Sequence, residues 1–443
     1  MIVIAKKSKF TLKDNAILSQ RFSYSSFEYN IKTFGWVAVY VLAMIVLCIL
    51  LSTPLILIPQ HDVITYPKYW YEPFIVINMS YSLAIAFKTM IECKMILKLD
   101  STMNLKFFLK FYAVIVSLIT IPGLIYQLIW VIIGNEFPTP LTGFIGYIGF
   151  LVSQIMIWFV ISNDERLKDG FAKRFRAYIL FKLVMSLFTD LQKDVITIGF
   201  KKINLEYQWI FAFVLPLVRQ GNTLLLHKIL HKLGDLEDVE SKTVTNIHVN
   251  VGHAMYIAVQ LGTSASQPTA YCILGVEFLI NIWTTFKIVR LHQKITPIQN
   301  TMRKRIEERM INEQLTLTLV ELIEVLVPLA YICVTLIAYN GPNYNIIGNI
   351  GSSMWQFKKI ENLNQVLFVG IEMFVFDTMS CVFAGVILWK FCSINLLLQV
   401  FDVIKKFGYF ISLQLSVALI AVSQKYICTH LWKLIYFQLW IKI

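Results

Sequence analysis

The sequence predicts an all-α integral membrane protein, a polytopic helical bundle of about nine to eleven transmembrane helices at roughly 20 apolar residues each. Three observations predict it. Hydrophobic residues make up 57% of the 443 residues and charged ones only 15%, against roughly 25% charged in ordinary soluble domains. Mean hydropathy is +0.64, and a water-soluble fold with so little polar surface could not cover its own exterior. Finally, the apolar residues gather into runs of span length, and Lys and Arg collect beside those runs, as they do in cytoplasmic loops facing anionic lipid. Hydrocarbon is therefore the solvent for most of the chain.

The runs follow in order. Residues 1–35 are polar and carry Lys6, Lys7, Lys9, Lys13, Arg21 and Lys32, so they are expected as a cytoplasmic N-terminal segment ahead of an uncleaved insertion signal. Residues 36–162 hold four expected spans: Trp36–Ile58, Phe74–Leu97, Phe111–Ile133 and Gly143–Ile161. The connection "GNEFPTPLT" (134–142) has no Lys or Arg and fits the outer side. The basic stretches "NDERLKDGFAKRFR" (163–176) and 287–310 fit the inner side.

Two inner segments require an even number of crossings between them. Within 163–286 this is met by two hairpins, Tyr178–Phe200 with Tyr207–Leu226 and the short Val249–Gly262 with Tyr271–Phe286, for about eleven spans in all. It is met equally by one hairpin with a re-entrant segment around Pro216, for about nine. Residues 287–314 then form a basic cytoplasmic segment. Leu315–Tyr339, Val366–Trp389 and Phe407–Ser423 are the spans of the C-terminal part, 315–443, with an outer loop at 340–365.

The net charge of +13 is spread along span ends rather than gathered on a soluble surface with interleaved aromatics, so no nucleic-acid partner is expected. Cys48, Cys93, Cys272, Cys333, Cys381, Cys392 and Cys428 lie in or beside apolar runs with no CxxC spacing, which reads as free thiols rather than a disulfide framework or a zinc site. No Walker A, H-E-x-x-H or G-x-S-x-G motif occurs, and the chain is expected to be neither an enzyme nor a cofactor or metal binder. The expected partners are the lipid bilayer and a small solute or ion, and the chain is compatible with assembly into a homo-oligomer.

Charges inside spans are costly and point to function by default. Asp377, near the middle of Val366–Trp389, is the foremost, followed by Glu277 in "GVEFLINIW". Glu321 and Glu324, in "LVELIEVLVP", are spaced i,i+3 and share a helix face, an arrangement suited to proton or cation handling. Glu372 completes the candidate translocation-path acids. It lies five residues before Asp377, roughly 140° around the helix, so the two cannot both face one cavity centrally. Lys88 and Glu92, spaced i,i+4 in the second span, are a candidate intramembrane ion pair. His248 and His253 read as helix-packing residues. Gly143, Gly146 and Gly149, in "GFIGYIGF", form a strip that lets another helix approach closely.

Between two apolar runs lies "AYNGPNYNIIGNIGSSMWQF" (338–357). Gly341, Pro342 and Asn343 are turn chemistry that stops a helix. Gly348 and Asn349 can supply left-handed backbone positions, and Trp355 suits the headgroup level. With "ILWKFCSINLL" (387–397), "KRFRAYILFKLVMSLF", "FAFVLPLVRQ" followed by "DLED", and "YIAVQ", the loop resembles a large group of multi-pass transmembrane proteins of oomycetes, over roughly residues 165–410. The resemblance implies a polytopic helical membrane fold and a defined loop structure at Gly341, Pro342, Asn343, Gly348, Asn349 and Trp355; it carries no activity and no site residue.

These residues favour solute or ion translocation, with the buried acids lining or gating a path. A receptor binding ligand at 338–365 and a non-catalytic subunit of a membrane complex are the alternatives. A translocator predicts a polar cavity reaching Asp377, a receptor an outer pocket over closed packing, and a subunit acids on its outer surface.

Overall fold

A computed structural model of the protein describes residues 27–57, 71–99, 105–132, 142–185, 196, 199–200, 203–234, 239–263, 267–295, 300–340 and 360–440. Among these residues there is no strand. In hydrocarbon every backbone N–H and C=O must find its partner within the chain, and a helix satisfies them locally. The helices are α1 (Phe27–Leu57), α2 (Tyr71–Ile96), α3 (Leu105–Ile132), α4 (Thr142–Val160), the single turn α5 (Asn163–Arg166) and α6 (Phe171–Val184). A 3-10 turn (Leu205–Ile210) leads into α7 (Phe211–Gly234), followed by α8 (Val239–Thr263), α9 (Gln267–Ile295), α10 (Asn300–Asn340), α11 (Ile360–Cys392) and α12 (Leu396–Trp440).

By length and composition, six stretches of the described residues can cross a membrane: Thr33–Leu50, Leu105–Tyr126, Glu206–Lys232, Gln267–Ile295, Ile306–Ile337 and Leu367–Cys392. The chain is thus a helical, multi-pass integral membrane protein. Of Ile306–Ile337, 67% is buried inside the protein, against 22–39% for the other five, which makes α10 the central apolar helix. It packs on α1, α8, α9, α11 and α12. On the lipid-facing helices the amphipathic pattern is inverted. In α11, Ile371, Val375, Met379, Val382 and Val386 are exposed, while Met373, Asp377, Ser380, Ala384 and Ile387 are buried; one stripe meets lipid and the other meets protein.

α8 also departs from its expected span. The apolar run begins at Val249, yet the helix begins ten residues earlier, at Val239. Thr243, Thr245, Asn246, His248 and Asn250 dilute its hydropathy, but all are buried, because α2, α7, α10, α11 and α12 surround it. Its polar side chains turn back onto their own helix: Thr245 Oγ1 donates to the Ser241 carbonyl (3.0 Å) and Asn250 Nδ2 to the Asn246 carbonyl (2.7 Å). At the first turn, where the helix dipole favours negative charge, Glu240 meets Lys98 at 3.0 Å and Lys406 at 3.6 Å.

The basic connections are also more helical than expected. Residues 171–176 belong to α6, and α9 and α10 extend through Ile295 and from Asn300. Lys287–Glu313 (2.5 Å) ties the two helices together, so part of the segment 287–314, expected as a basic cytoplasmic stretch, is helical and paired. α6 starts after Gly170, whose φ of +70° turns the chain. The glycine strip has one clear role: a Cβ at Gly149 would fall 2.1 Å from the Leu118 carbonyl oxygen, so α4 lies directly on the α3 backbone. The outer-loop residues Gly341, Pro342, Asn343, Gly348, Asn349 and Trp355 lie outside the described residues.

Candidate functional site

Four of the five candidate acids converge. Glu277 on α9, Glu321 and Glu324 on α10 and Asp377 on α11 are all buried, and Asp377 is within electrostatic reach of the other three. α7 supplies a cation to this group. Arg219 Nη1 donates to Glu324 Oε1 at 3.0 Å and lies 3.9 Å from Glu277 Oε1. His253 on α8 holds the same Glu277 oxygen through Nε2 at 2.8 Å. Asn281, one turn beyond Glu277 on α9, donates to Glu324 Oε2 at 2.8 Å and approaches Ser380 Oγ at 3.4 Å. The Ser380 hydroxyl in turn donates to Glu321 Oε1 at 3.0 Å. The other Glu321 oxygen, Oε2, is buried without a hydrogen-bond partner.

The helix register explains this convergence. Glu277 and Asn281 are spaced i,i+4, Glu321 and Glu324 i,i+3, and Asp377 and Ser380 i,i+3, so each pair stands on one face of its helix. Each of these faces is the buried one. Four carboxyl groups therefore meet one guanidinium and one imidazole in the buried interior of the bundle. Fully ionised, they would carry a net negative charge, which burial makes expensive. The surplus has to be neutralised by protons or by a cation.

A second charged group lies on the other side of α8. Glu92 on α2 is fully buried and contacts Lys182 of α6 directly, with Lys88 at 3.8 Å. The Tyr178 hydroxyl reaches Glu92 Oε2 at 3.3 Å and Gln154 Oε1 at 3.1 Å. His248 Nε2 sits 2.7 Å from Glu92 Oε1, but off the hydrogen-bond direction, so neither atom has an aligned partner. The ring is held by its other nitrogen, Nδ1, 2.8 Å from the Val244 carbonyl, and by Phe181 and Phe410 at ring-centroid distances of 5.8 and 5.5 Å. A carbonyl only accepts, so Nδ1 carries a hydrogen.

Between the two groups is a cavity of about 40 Å³, lined by Leu215, Val218, Arg219 and Asn222 of α7, by His248, Val249, Gly252, His253 and Tyr256 of α8, and by Ile196. It reaches Arg219 and His253 rather than Asp377, in contrast to the expectation of a cavity touching that acid. The reason is position: Asp377 approaches the centre from α11, whereas the cavity lies in the α7–α8 seam.

Lys88 and Glu92 do lie side by side, but Lys182 is the closer cation to Glu92. Glu372 stands apart from the other acids at the bundle's edge, accepting a 2.7 Å hydrogen bond from the Tyr271 hydroxyl. Its half-turn offset from Asp377 places it there. Sequence reasoning passed over Arg219 and Lys182, although both sit in apolar runs and the cost of burying a charge applies to them as it does to the acids. His253 and His248 read as packing residues because a histidine five positions from another shows nothing about helices elsewhere in the chain. Asn281 and Ser380 carry no sequence signal, since small polar residues are common in spans. No protein-family model matches this chain, and no curated protein or solved structure was found to match it.

Proposed function

We propose that the protein translocates a small solute or ion, and that the Arg219–acid centre is where the charge moved across the membrane is bound and released. The observation supporting this is the excess of buried carboxyl groups, Glu277, Glu321, Glu324 and Asp377, over the cations that face them, Arg219 and His253. A purely structural buried network is stable when each charge is matched. Unmatched carboxyls in the interior have a use when their neutralising charge comes and goes, as in the acid and histidine chains of pumps and transporters. The acids also point inward, away from the lipid-facing surface, which disfavours a subunit that contacts partner helices through them.

The test is reconstitution of the full chain in vesicles loaded with indicators for H⁺, Na⁺ and K⁺. Wild-type protein is expected to dissipate an imposed gradient of at least one of these. Asp377→Asn and Glu321→Gln remove acids without deleting an Arg219 partner and should leave the fold intact. Each is expected to slow the flux by roughly tenfold or more, equivalent to about 1.4 kcal/mol or more in the barrier. Wild-type flux with unchanged pH dependence in both variants would remove these acids from the mechanism. Absence of all three fluxes in wild-type vesicles would refute the reading.

A further inference from the structure

Two matching stripes form the cavity between α7 and α8. Leu215, Val218, Arg219 and Asn222 on α7 are spaced i, i+3, i+4, i+7. Val249, Gly252, His253 and Tyr256 on α8 repeat that spacing, so each set stands on the face its helix turns toward the other. Gly252 has no side chain, which leaves room in the middle of the seam. His248 belongs to the neighbouring face of α8, where its ring lies against Glu92, and takes no part here. Among the described residues the Arg219 side chain makes a single hydrogen bond, from Nη1 to Glu324 Oε1 at 3.0 Å, with Glu277 3.9 Å from the same nitrogen. A guanidinium carries five N–H donors in a planar fork, so Nε and Nη2 remain to serve the cavity that Arg219 lines. Across the seam, His253 is fixed by Glu277 at 2.8 Å, and Leu215, Val218 and Val249 supply an apolar wall. The volume of about 40 Å³ holds about three or four water-sized groups at ~10–15 Å³ each.

We infer that this cavity binds a small monocarboxylate, the size of formate or acetate, together with a proton on the acids behind Arg219. The inference rests on the translocation reading and names its solute. A carboxylate matches the remaining edge of the guanidinium, accepting charge-assisted hydrogen bonds from Nε and Nη2, and its short carbon end meets the apolar wall. A cation of the same size would face Arg219 first and be repelled. A neutral solute would gain only ordinary hydrogen bonds, and a doubly charged anion would exceed the one guanidinium available. The acids set the second condition. Glu277, Glu321, Glu324 and Asp377 already outnumber Arg219 and His253, and one more buried negative charge would be costly. A proton taken from water by Glu277 or Glu324, the two carboxylates that face Arg219, forms a carboxylic O–H bond and cancels the incoming charge. Anion and proton therefore bind as a neutral pair, and each raises the affinity for the other. Arg219 links them, since it meets the acids through Nη1 and the cavity through the rest of its fork.

The experiment is calorimetric titration of the full chain in lipid nanodiscs with sodium acetate, and with acetamide and methylammonium chloride as neutral and cationic molecules of similar size. Acetate is expected to bind saturably, and the other two at least roughly tenfold more weakly. Repeating the titration in two buffers of different ionisation enthalpy should show uptake of about one proton per acetate. Gly252→Leu fills the seam and leaves Arg219 on Glu324. Asn222→Asp is nearly isosteric and places a like charge in the cavity. Each is expected to weaken acetate binding by roughly tenfold or more, and Asn222→Asp decides alone if Gly252→Leu does not yield folded protein. No saturable binding of acetate at millimolar concentrations overturns the site, as does equal binding of acetamide or wild-type affinity in either folded variant. Displacement of acetate by equimolar chloride overturns the carboxylate assignment, and binding without proton uptake overturns the pairing with a proton. Binding is read without transport, so the two readings fail separately. Absence of acetate binding beside intact H⁺, Na⁺ or K⁺ flux overturns the site and leaves translocation standing, whereas acetate binding by protein that moves none of the three ions overturns translocation and leaves the site.

Discussion

Removing the Arg219 charge by Arg219→Met should destabilise the bundle, and the structure sets both the size and the partner. The guanidinium donates to Glu324 at 3.0 Å and lies 3.9 Å from Glu277, whose nearer partner is His253 at 2.8 Å. Deleting one member of a buried pair leaves the other uncompensated and costs about 3–5 kcal/mol. The loss should fall mainly on Glu324. Combining Arg219→Met with Glu324→Gln removes the stranded charge, so the double variant is expected to be more stable than the sum of the singles by about 1–3 kcal/mol. Combining it with Glu277→Gln should recover less, since His253 already holds that carboxylate. The assay is equilibrium unfolding of the purified protein from mild micelles by a denaturing detergent, followed by circular dichroism, with all single and double variants in one cycle. Additive effects for Arg219 and Glu324, or stronger coupling to Glu277 than to Glu324, would refute the assignment of Arg219 to Glu324.

Other expectations follow from the same packing. Glu92→Gln should destabilise the protein by about 3–5 kcal/mol, because Lys182 and Lys88 lose the carboxylate they face, whereas Glu372→Gln at the bundle's edge should change stability by about 0.5 kcal/mol or less; the same unfolding assay compares them. Gly149→Val should cost about 1–3 kcal/mol by forcing α4 off the Leu118 carbonyl, measured as a lower unfolding midpoint, and Gly275→Ala, whose Cβ would meet nothing within 4 Å, serves as its neutral control. Asn345→Cys and Asn300→Cys, in a background without the exposed Cys272, should react with an impermeant thiol reagent from opposite sides of the membrane. Reaction from the same side would reject the proposed sidedness.

The solvent of this protein was legible from composition, because the cost of placing side chains in water or hydrocarbon is a local property summed along the chain. The acids were legible for the same reason. Glu277, Glu321, Glu324 and Asp377 stand out in apolar runs, and i,i+3 spacing already placed Glu321 with Glu324 on one face. The separation of Glu372 from Asp377 also follows from helix geometry alone. α8 was only half legible: hydropathy marks its apolar end, while its polar first half resembles a connection unless one knows that protein, not lipid, surrounds it.

The tertiary structure alone decided which faces meet. Arg219 and Glu324 are 105 residues apart and His248 and Glu92 are 156 apart, and no local pattern links them. Their pairing depends on five helices packing around α8 and five around α10, a property of the assembled bundle. Sequence by itself determined that charge is carried into the membrane; packing decided that it is gathered into two groups separated by a cavity large enough for water. The physical reason is that burial cost belongs to a single residue, whereas charge compensation belongs to the residues that folding places beside it.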